Sequence, residues 1–315
     1  MTWFEALVLG LLQGITEFLP VSSSGHLVIG KEFLGIEVHG ASFEVVVHTA
    51  TVLSILTVFR REIARLLWGC VGPFFSKKAS FIRWGGRLKI PYNGDIRYVL
   101  MLLLSMLPVL VVGFFFKEQV EALFGSGLMV VGSMLIITAF LLSLAQVMTG
   151  RTASAVFSPI SDTSASDTSA SGMSAPDTPV SVTDSSSGSL SYKDAFIMGV
   201  SQAIAVLPGL SRSGATISTG LLLGKGRADV AKFSFLMVLI PILGEAFLDI
   251  IKGGFAPQAS GIGAGVLLVG FAAAYLSGLA ACRAMVALVK RAKLWGFALY
   301  CALVGVSCLL YHFVI

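Results

Sequence analysis

Residues Gln13–His26 read QGITEFLPVSSSGH and carry the polar groups of the first apolar stretch of the chain. A shift of 189 positions superposes Gly10 on Gly199, Gln13 on Gln202, Ser22 on Ser211, Ser24 on Ser213 and Gly25 on Gly214. The motif therefore occurs twice. Pro20 and Pro208 fall one residue out of this register, and Glu17, Ser23 and His26 lie opposite Val206, Arg212 and Ala215. The two copies share a backbone plan and differ in chemistry.

Composition says where such a repeat can live. The 315 residues are 56% hydrophobic and 12% charged, with a mean hydropathy of +0.88. A soluble domain would be nearer about 45 to 50% apolar, so the expectation is a polytopic membrane protein. The net charge of +5 does not point to nucleic acid, because basic residues in such chains report topology. Cys70, Cys282, Cys301 and Cys308 lack metal spacing and read as packing residues. The start, Met1 to Phe4 followed by Glu5, has no basic residue and argues against a cleaved signal peptide.

Apolar runs fall at about 43–59, 98–116, 127–149, 233–251, 261–283 and 295–314, each close to the roughly 20 residues of a spanning helix. Stretches 4–35 and 195–223 are also apolar, but Pro, Gly and serines cut each in the middle. Broken backbone at membrane depth is tolerated only where protein or a water-filled cavity satisfies its N–H and C=O groups. Both stretches are therefore predicted to be re-entrant helical hairpins. The expected fold is an all-α polytopic membrane protein of two repeats, 1–149 and 193–315, each a hairpin followed by three transmembrane helices. Three is odd, so the second repeat starts on the opposite face and is inverted, which puts a binding site at the repeat interface.

Charge offers an independent check. Under this topology 18 of the 22 Lys and Arg share one side, nine of them between Arg60 and Arg97. Lys31, Lys117 and Lys252 lie opposite, and Arg212 sits inside the second hairpin. The positive-inside bias makes the crowded side cytoplasmic and places both termini outside. Residues 150–192 are nearly all Ser, Thr, Ala, Asp and Pro, with SDTSA in tandem from Ser161 to Ala170. Such a segment buries too little apolar surface to offset its ordering entropy, and a disordered cytoplasmic linker is expected.

In the first hairpin Glu17 lies one helical turn after Gln13 on the same face. A carboxylate in the bilayer interior costs about 2.5 to 3.5 kcal/mol even on insertion scales and faces a partner or water. One of Ser22, Ser23 and Ser24 is accounted for as a helix N-cap. With His26 and Glu17, Ser23 completes the hydroxyl, imidazole and carboxylate set of nucleophilic or acid–base chemistry. The second hairpin carries PGLSRSGAT, Pro208–Thr216. Arg212 has a fork of donors suited to phosphate; Ser211, Ser213, Thr216 and the N–H groups of a helix start add more. Gly209 and Gly214 let the backbone approach closely. Arg212 is equally suited to pairing with Glu17. A lipid phosphate or pyrophosphate is the natural substrate of two such tips meeting in a bilayer.

QGITEFLPVSSSGH with PGLSRSGAT resembles the undecaprenyl-diphosphate phosphatase family of bacterial membranes, also called bacitracin-resistance proteins. The resemblance covers nearly the whole chain outside the linker. It implies hydrolysis of undecaprenyl pyrophosphate to the monophosphate, recycling the lipid carrier for peptidoglycan, in the bacterial cytoplasmic membrane with a site open to the outer face. It also implies a divalent cation, Mg2+ or Ca2+, with Gln13 and Glu17 as the metal positions; Gln13 is the Gln form of the first, leaving one carboxylate fewer. The partners are then the polyprenyl pyrophosphate lipid and the bilayer, with no nucleic acid and a homodimer left open. Catalytic roles fall to Glu17, Ser23, His26 and Arg212, and phosphate contacts to Ser22, Ser24, Gly209, Ser211, Ser213 and Thr216. Ser23 or a water it positions attacks phosphorus, His26 acts as base or acid, and Glu17 orients His26 or binds the cation.

The rival reading is a transporter or lipid flippase, since inverted repeats with broken helices are a transporter architecture; Glu17 and His26 would then couple protons. A catalytic cluster makes a specific demand. Ser23→Ala and His26→Ala are each expected to abolish phosphate release, and a normal rate in either would remove that residue from the mechanism.

Overall fold

The computed structural model of the chain describes residues 1–36, 42–75, 81–84, 88–91, 94–124, 127–156, 189–251, 262–291 and 294–314. In the first half, helix α1 (Trp3–Phe18) and α2 (Ser23–Leu34) are followed by α3 (Ser42–Val58), α4 (Arg60–Phe75), α5 (Gly94–Phe115), α6 (Lys117–Phe124) and α7 (Gly127–Val156). In the second, α8 (Tyr192–Ile204) and α9 (Arg212–Leu222) precede α10 (Arg227–Ile251), α11 (Ala264–Arg291) and α12 (Trp295–Val314). Both predicted hairpins are present as helix–break–helix pairs. Most of the predicted linker, residues 157–188, lies outside the described residues.

The sequence chemistry of each break is legible. Thr2 and Ser191 open α1 and α8 with reciprocal capping boxes to Glu5 and Asp194, each satisfying two orphan donors. Pro20 disfavours helical backbone in the residue before it, and Leu19 is extended, with ψ 147°. In the second hairpin the turn is made at Gly209, whose φ of +90° suits a residue without Cβ. Ser22 and Ser211 then cap α2 and α9 by accepting from the backbone N–H of Gly25 and Gly214 at 3.3 and 3.0 Å.

Among the described residues four helices are long and apolar enough to cross a membrane: Gly94–Phe115, Gly127–Thr149, Ala264–Met285 and Trp295–Val314. A fifth span is counted if Phe43–Val58 and Arg60–Gly72, which meet at 73°, are taken together. The predicted 43–59 segment is thus the straight α3, and the chain then turns sharply into α4, which hydropathy did not separate from the loop. α10 contains the predicted 233–251 segment and begins six residues earlier, at Arg227. The described residues are helical as expected, with one short addition. Phe81–Trp84 and Leu88–Pro91 pair as an antiparallel two-stranded ribbon, Trp84 opposite Leu88, inside the basic segment between Arg60 and Arg97.

Small residues let the helices approach. α1 packs along α11, and α3 lies on the same helix. A methyl group on Gly14 would overlap Ser277 and Ala274 of α11, and one on Gly10 would overlap the Gly270 carbonyl. Without a hydrophobic force between helices in lipid, such close backbone contact is what holds them. α8 packs on α5 in the same way, with Gly199 against the Ser105 backbone. α7 and α12 meet at Gly132 and Gly305, where a Cβ on either would come 2.8 Å from the other's carbonyl oxygen.

Gly14→Leu is therefore expected to force α1 from α11 at a cost of about 1 to 3 kcal/mol, seen as a lower melting temperature in detergent. Gly113→Ala, whose added Cβ meets no atom within 4 Å, should leave the melt unchanged. Equal melts for both would overturn the packing role of Gly14.

Candidate active site

The break of the first hairpin and the break of the second come together. Ser213 on α9 donates from Oγ to the Leu19 carbonyl at 3.2 Å, and a Cβ on Gly25 would sit 3.1 Å from Gly209 Cα. Between them lies a small cavity walled by Thr16, Glu17, Ser22, Ser23, Ser24, Ser211, Arg212 and Ser213, closed by the apolar Phe18, Ile55, Leu210, Phe235 and Val238. The first turns of α2 and α9 both border it, and helix N-termini favour anions through their unpaired N–H groups.

Glu17 is the hub of this cavity. Its side chain is only 4% exposed and every polar neighbour is a donor or a ring nitrogen. Ser23 Oγ donates to Oε2 at 2.5 Å and Gln13 Nε2 to the same oxygen at 2.9 Å. The Arg212 guanidinium reaches across from the other hairpin to Oε1 at 3.3 Å. His48 Nδ1, on α3, lies 3.7 Å from Oε2 and 2.9 Å from Gln13 Nε2. Glu17, Ser23 and Arg212 thus form one connected set drawn from both halves of the chain, as the two motifs predicted. Arg212 stays 24% exposed, so its guanidinium is held by the carboxylate and still borders the cavity.

His26 does not join that set. It stands behind the cavity wall with Nδ1 2.7 Å from the Ser22 carbonyl and Nε2 2.7 Å from the Tyr300 hydroxyl, its ring stacked on Tyr300 at 5.5 Å and 9°. Both ring nitrogens are engaged. The contact falls on the one non-glycine residue with positive φ among those described, Ser22 at +70°, a conformation that surrounding structure has to enforce. The expectation that His26 sits beside Ser23 and Glu17 came from adjacency in sequence. Ser22 and Ser23 cap and begin α2, so His26, four residues past the cap, carries its ring toward α12 instead.

The remaining predicted phosphate contacts divide similarly. Ser24 lines the cavity with Ser22 at 3.4 Å between hydroxyls, and Ser211 and Ser213 stand 3.3 Å apart. Thr216 is buried away from it, donating to the carbonyls of Arg212 and Ser213. Gly209 packs on Val131 of α7, where a Cβ would overlap the backbone, so its lack of a side chain serves helix packing. The Ser211 N–H donates to Thr138 Oγ1 at 3.2 Å, which fastens the second tip to α7.

His48, Tyr300 and Thr138 were missed from sequence. His48 carried a signal, being an ionisable residue inside the predicted 43–59 span. Tyr300 and Thr138 carried none, because one hydroxyl in an apolar helix is unremarkable until its neighbours are known.

Gln13 also bears on cation binding. Among the described residues no group of three or more His, Cys, Asp or Glu is placed to hold a metal. Gln13 Oε1, however, is buried without a hydrogen-bond partner beside Glu17. Glu17 borders the cavity and Gln13 does not. Of the two positions the carboxylate is therefore the one within reach of a cation such as Mg2+, which commonly takes one or two carboxylates and completes its shell with water and substrate phosphate.

Comparison with known proteins gives the family of the chain. A family model described as Bacitracin resistance protein BacA matches residues 6–307. The undecaprenyl-diphosphatase of Bacteroides fragilis (strain YCH46) is 46% identical over 314 residues, covering 97% of each chain. That of Parabacteroides distasonis is 45% identical over 307 residues, covering 97% of this chain and 96% of its own. That of Christiangramia forsetii is 42% identical over 316 residues, covering 99% of each. With matches that run from the first hairpin to the last helix, the chain belongs to the BacA family of bacitracin resistance proteins.

Proposed function

We propose that this protein is an integral membrane undecaprenyl-diphosphatase. It hydrolyses undecaprenyl pyrophosphate to undecaprenyl phosphate and inorganic phosphate, returning the lipid carrier to peptidoglycan synthesis and conferring bacitracin resistance. The observation that carries the reading is Glu17, which binds a hydroxyl from its own hairpin and the guanidinium of the other within one cavity. Relatives with the printed name undecaprenyl-diphosphatase along their full length favour hydrolysis over the transporter alternative.

In the mechanism, the terminal phosphate enters between the two tips and meets Arg212, the hydroxyls of Ser22, Ser24, Ser211 and Ser213, and the N-terminal turns of α2 and α9. Arg212 gains negative partners as charge builds on the equatorial oxygens, which is where preorganised donors lower a barrier most. Ser23 Oγ attacks the terminal phosphorus as its proton passes to Glu17 Oε2, the P–O bond to undecaprenyl phosphate breaks, and water then hydrolyses the phosphoserine to inorganic phosphate. In the direct route the water that Ser23 orients attacks instead and the same P–O bond breaks. The short Ser23–Glu17 bond makes Glu17 the base. His26 serves by holding the Ser22 carbonyl, and so the turn that presents Ser23. Glu17 would hold a divalent cation, Mg2+ or Ca2+, which when bound neutralises pyrophosphate charge.

The fold supports an inverted repeat. The packing partners exchange between halves: α1 lies on α11 as α8 lies on α5, and α3 on α11 as α10 on α5. The hairpins then enter from opposite faces, and the 18 cations on one side orient the linker to the cytoplasm and the catalytic cavity to the outer face. The setting is the bacterial cytoplasmic membrane; assembly as a homodimer is compatible with the many exposed apolar side chains on α5 and α12.

The test is phosphate release from undecaprenyl pyrophosphate by purified protein in detergent, with and without EDTA. Release is expected to stop with EDTA and to fall by about 10²- to 10⁴-fold in Glu17→Gln. Arg212→Lys, which keeps charge and loses the fork, should lose about 10²- to 10³-fold. Lipid translocation without any phosphate release from folded protein would overturn the assignment.

A further inference from the structure

We propose that His48 is a positioning residue for this reaction: its Nδ1 accepts from Gln13 and, together with the Glu17 carboxylate, holds the nitrogen end of the Gln13 amide toward Glu17. The inference rests on the phosphatase reading of the site and adds a residue to it.

Hydrogen-bond valence sets the orientation of the amide. Gln13 Nε2 stands 2.9 Å from Glu17 Oε2 and 2.9 Å from His48 Nδ1. An amide nitrogen has two hydrogens and no acceptor capacity, and an ionised carboxylate only accepts. Both hydrogens are therefore donated, one to the carboxylate and one to the ring. His48 Nδ1 must then carry a lone pair, and the ring proton resides on Nε2. The reversed amide would set Gln13 Oε1 against the Glu17 oxygen, two acceptors 2.9 Å apart in a buried place, and would leave Nε2 in the position where Oε1 is now orphaned.

The choice matters for three groups at once. Glu17 Oε2 is shared by Gln13 and Ser23, so the amide proton fixes the oxygen that receives the Ser23 proton. Gln13 is wholly buried, and among the described residues its amide is held by Glu17 and His48. His48 itself does not line the cavity and stays 3.7 Å from Glu17, so it acts through Gln13. A ring on a spanning helix with one nitrogen aimed at a buried amide is the arrangement by which outer partners lock a reactive group in place.

Three variants separate this role from simple packing. His48→Leu keeps bulk on α3 and removes the acceptor; kcat is expected to fall roughly 10- to 100-fold with KM changed much less. In His48→Asn, Oδ1 takes the place of Nδ1 as acceptor, and a large part of the lost kcat should return. Ser23→Ala is measured alongside. Histidine ring 15N spectra give a readout independent of turnover: the signals that disappear in His48→Asn should show the proton on Nε2 and the lone pair on Nδ1. Equal losses in Leu and Asn, no loss in Leu, or a ring protonated at Nδ1 alone would each overturn the role of His48 while leaving the site if Ser23→Ala is inactive. Full activity in Ser23→Ala would overturn both.

Discussion

A single buried carboxylate organises the molecule. Glu17 cannot stay ionised in an apolar interior unless its oxygens are supplied with donors, and the chain supplies them from three separate elements: α1 itself, the start of α2, and the start of α9 on the other half. Gln13 arrives by helical periodicity, whereas Ser23 and Arg212 each arrive on the first turn of a helix that begins after a break. The breaks thus bring donors to the charge, and they create the two helix N-termini that favour an anion in the cavity.

Holding two broken hairpins tip to tip requires unbroken support. α1 is seated on α11 through Gly10 and Gly14, α8 on α5 through Gly199, and α7 on α12 through Gly132 and Gly305. Close backbone approach is the strongest adhesive available between apolar helices in lipid. Van der Waals contact falls off within a few tenths of an ångström, so these glycines also set how nearly Arg212 can come to Glu17. Thr138 and Val131 of α7 then fix the second tip directly, through the Ser211 N–H and the bare Gly209 Cα. The catalytic geometry and the stability of the helix packing are one problem.

The polar residues divide into those that face the cavity and those that hold the facing ones. Ser23, Arg212 and the paired hydroxyls of Ser22 with Ser24 and Ser211 with Ser213 belong to the first group. His26 and Thr216 belong to the second, one tying down the Ser22 turn and stacked on Tyr300, the other bonded to the carbonyls beneath Arg212. Motif spacing cannot make this division. SSSGH places a hydroxyl and an imidazole three residues apart on α2, a spacing that puts them near one another on a helix. Only their contacts separate them: Ser23 bonds Glu17 while His26 meets the Ser22 carbonyl and the Tyr300 hydroxyl.

Much was therefore decided by the linear chain: membrane residence from its apolar content and the two helix–break–helix hairpins from Pro and Gly inside apolar runs, while the pairing of Glu17 with Arg212 was one of two roles it left open for the guanidinium. These follow from local rules, because the costs of an unpaired N–H and an unpaired carboxylate are paid wherever those groups sit in a bilayer. The sharp turn from α3 into α4 and the 81–91 ribbon escaped because hydropathy records how apolar a segment is and not which way it runs. What only the tertiary structure decided is which ring approaches the site. His26 is close in sequence and turned away; His48, thirty-one residues beyond Glu17, arrives because α3 packs against α1 and α11, and packing between helices depends on shape across the whole bundle, which no single stretch of sequence contains.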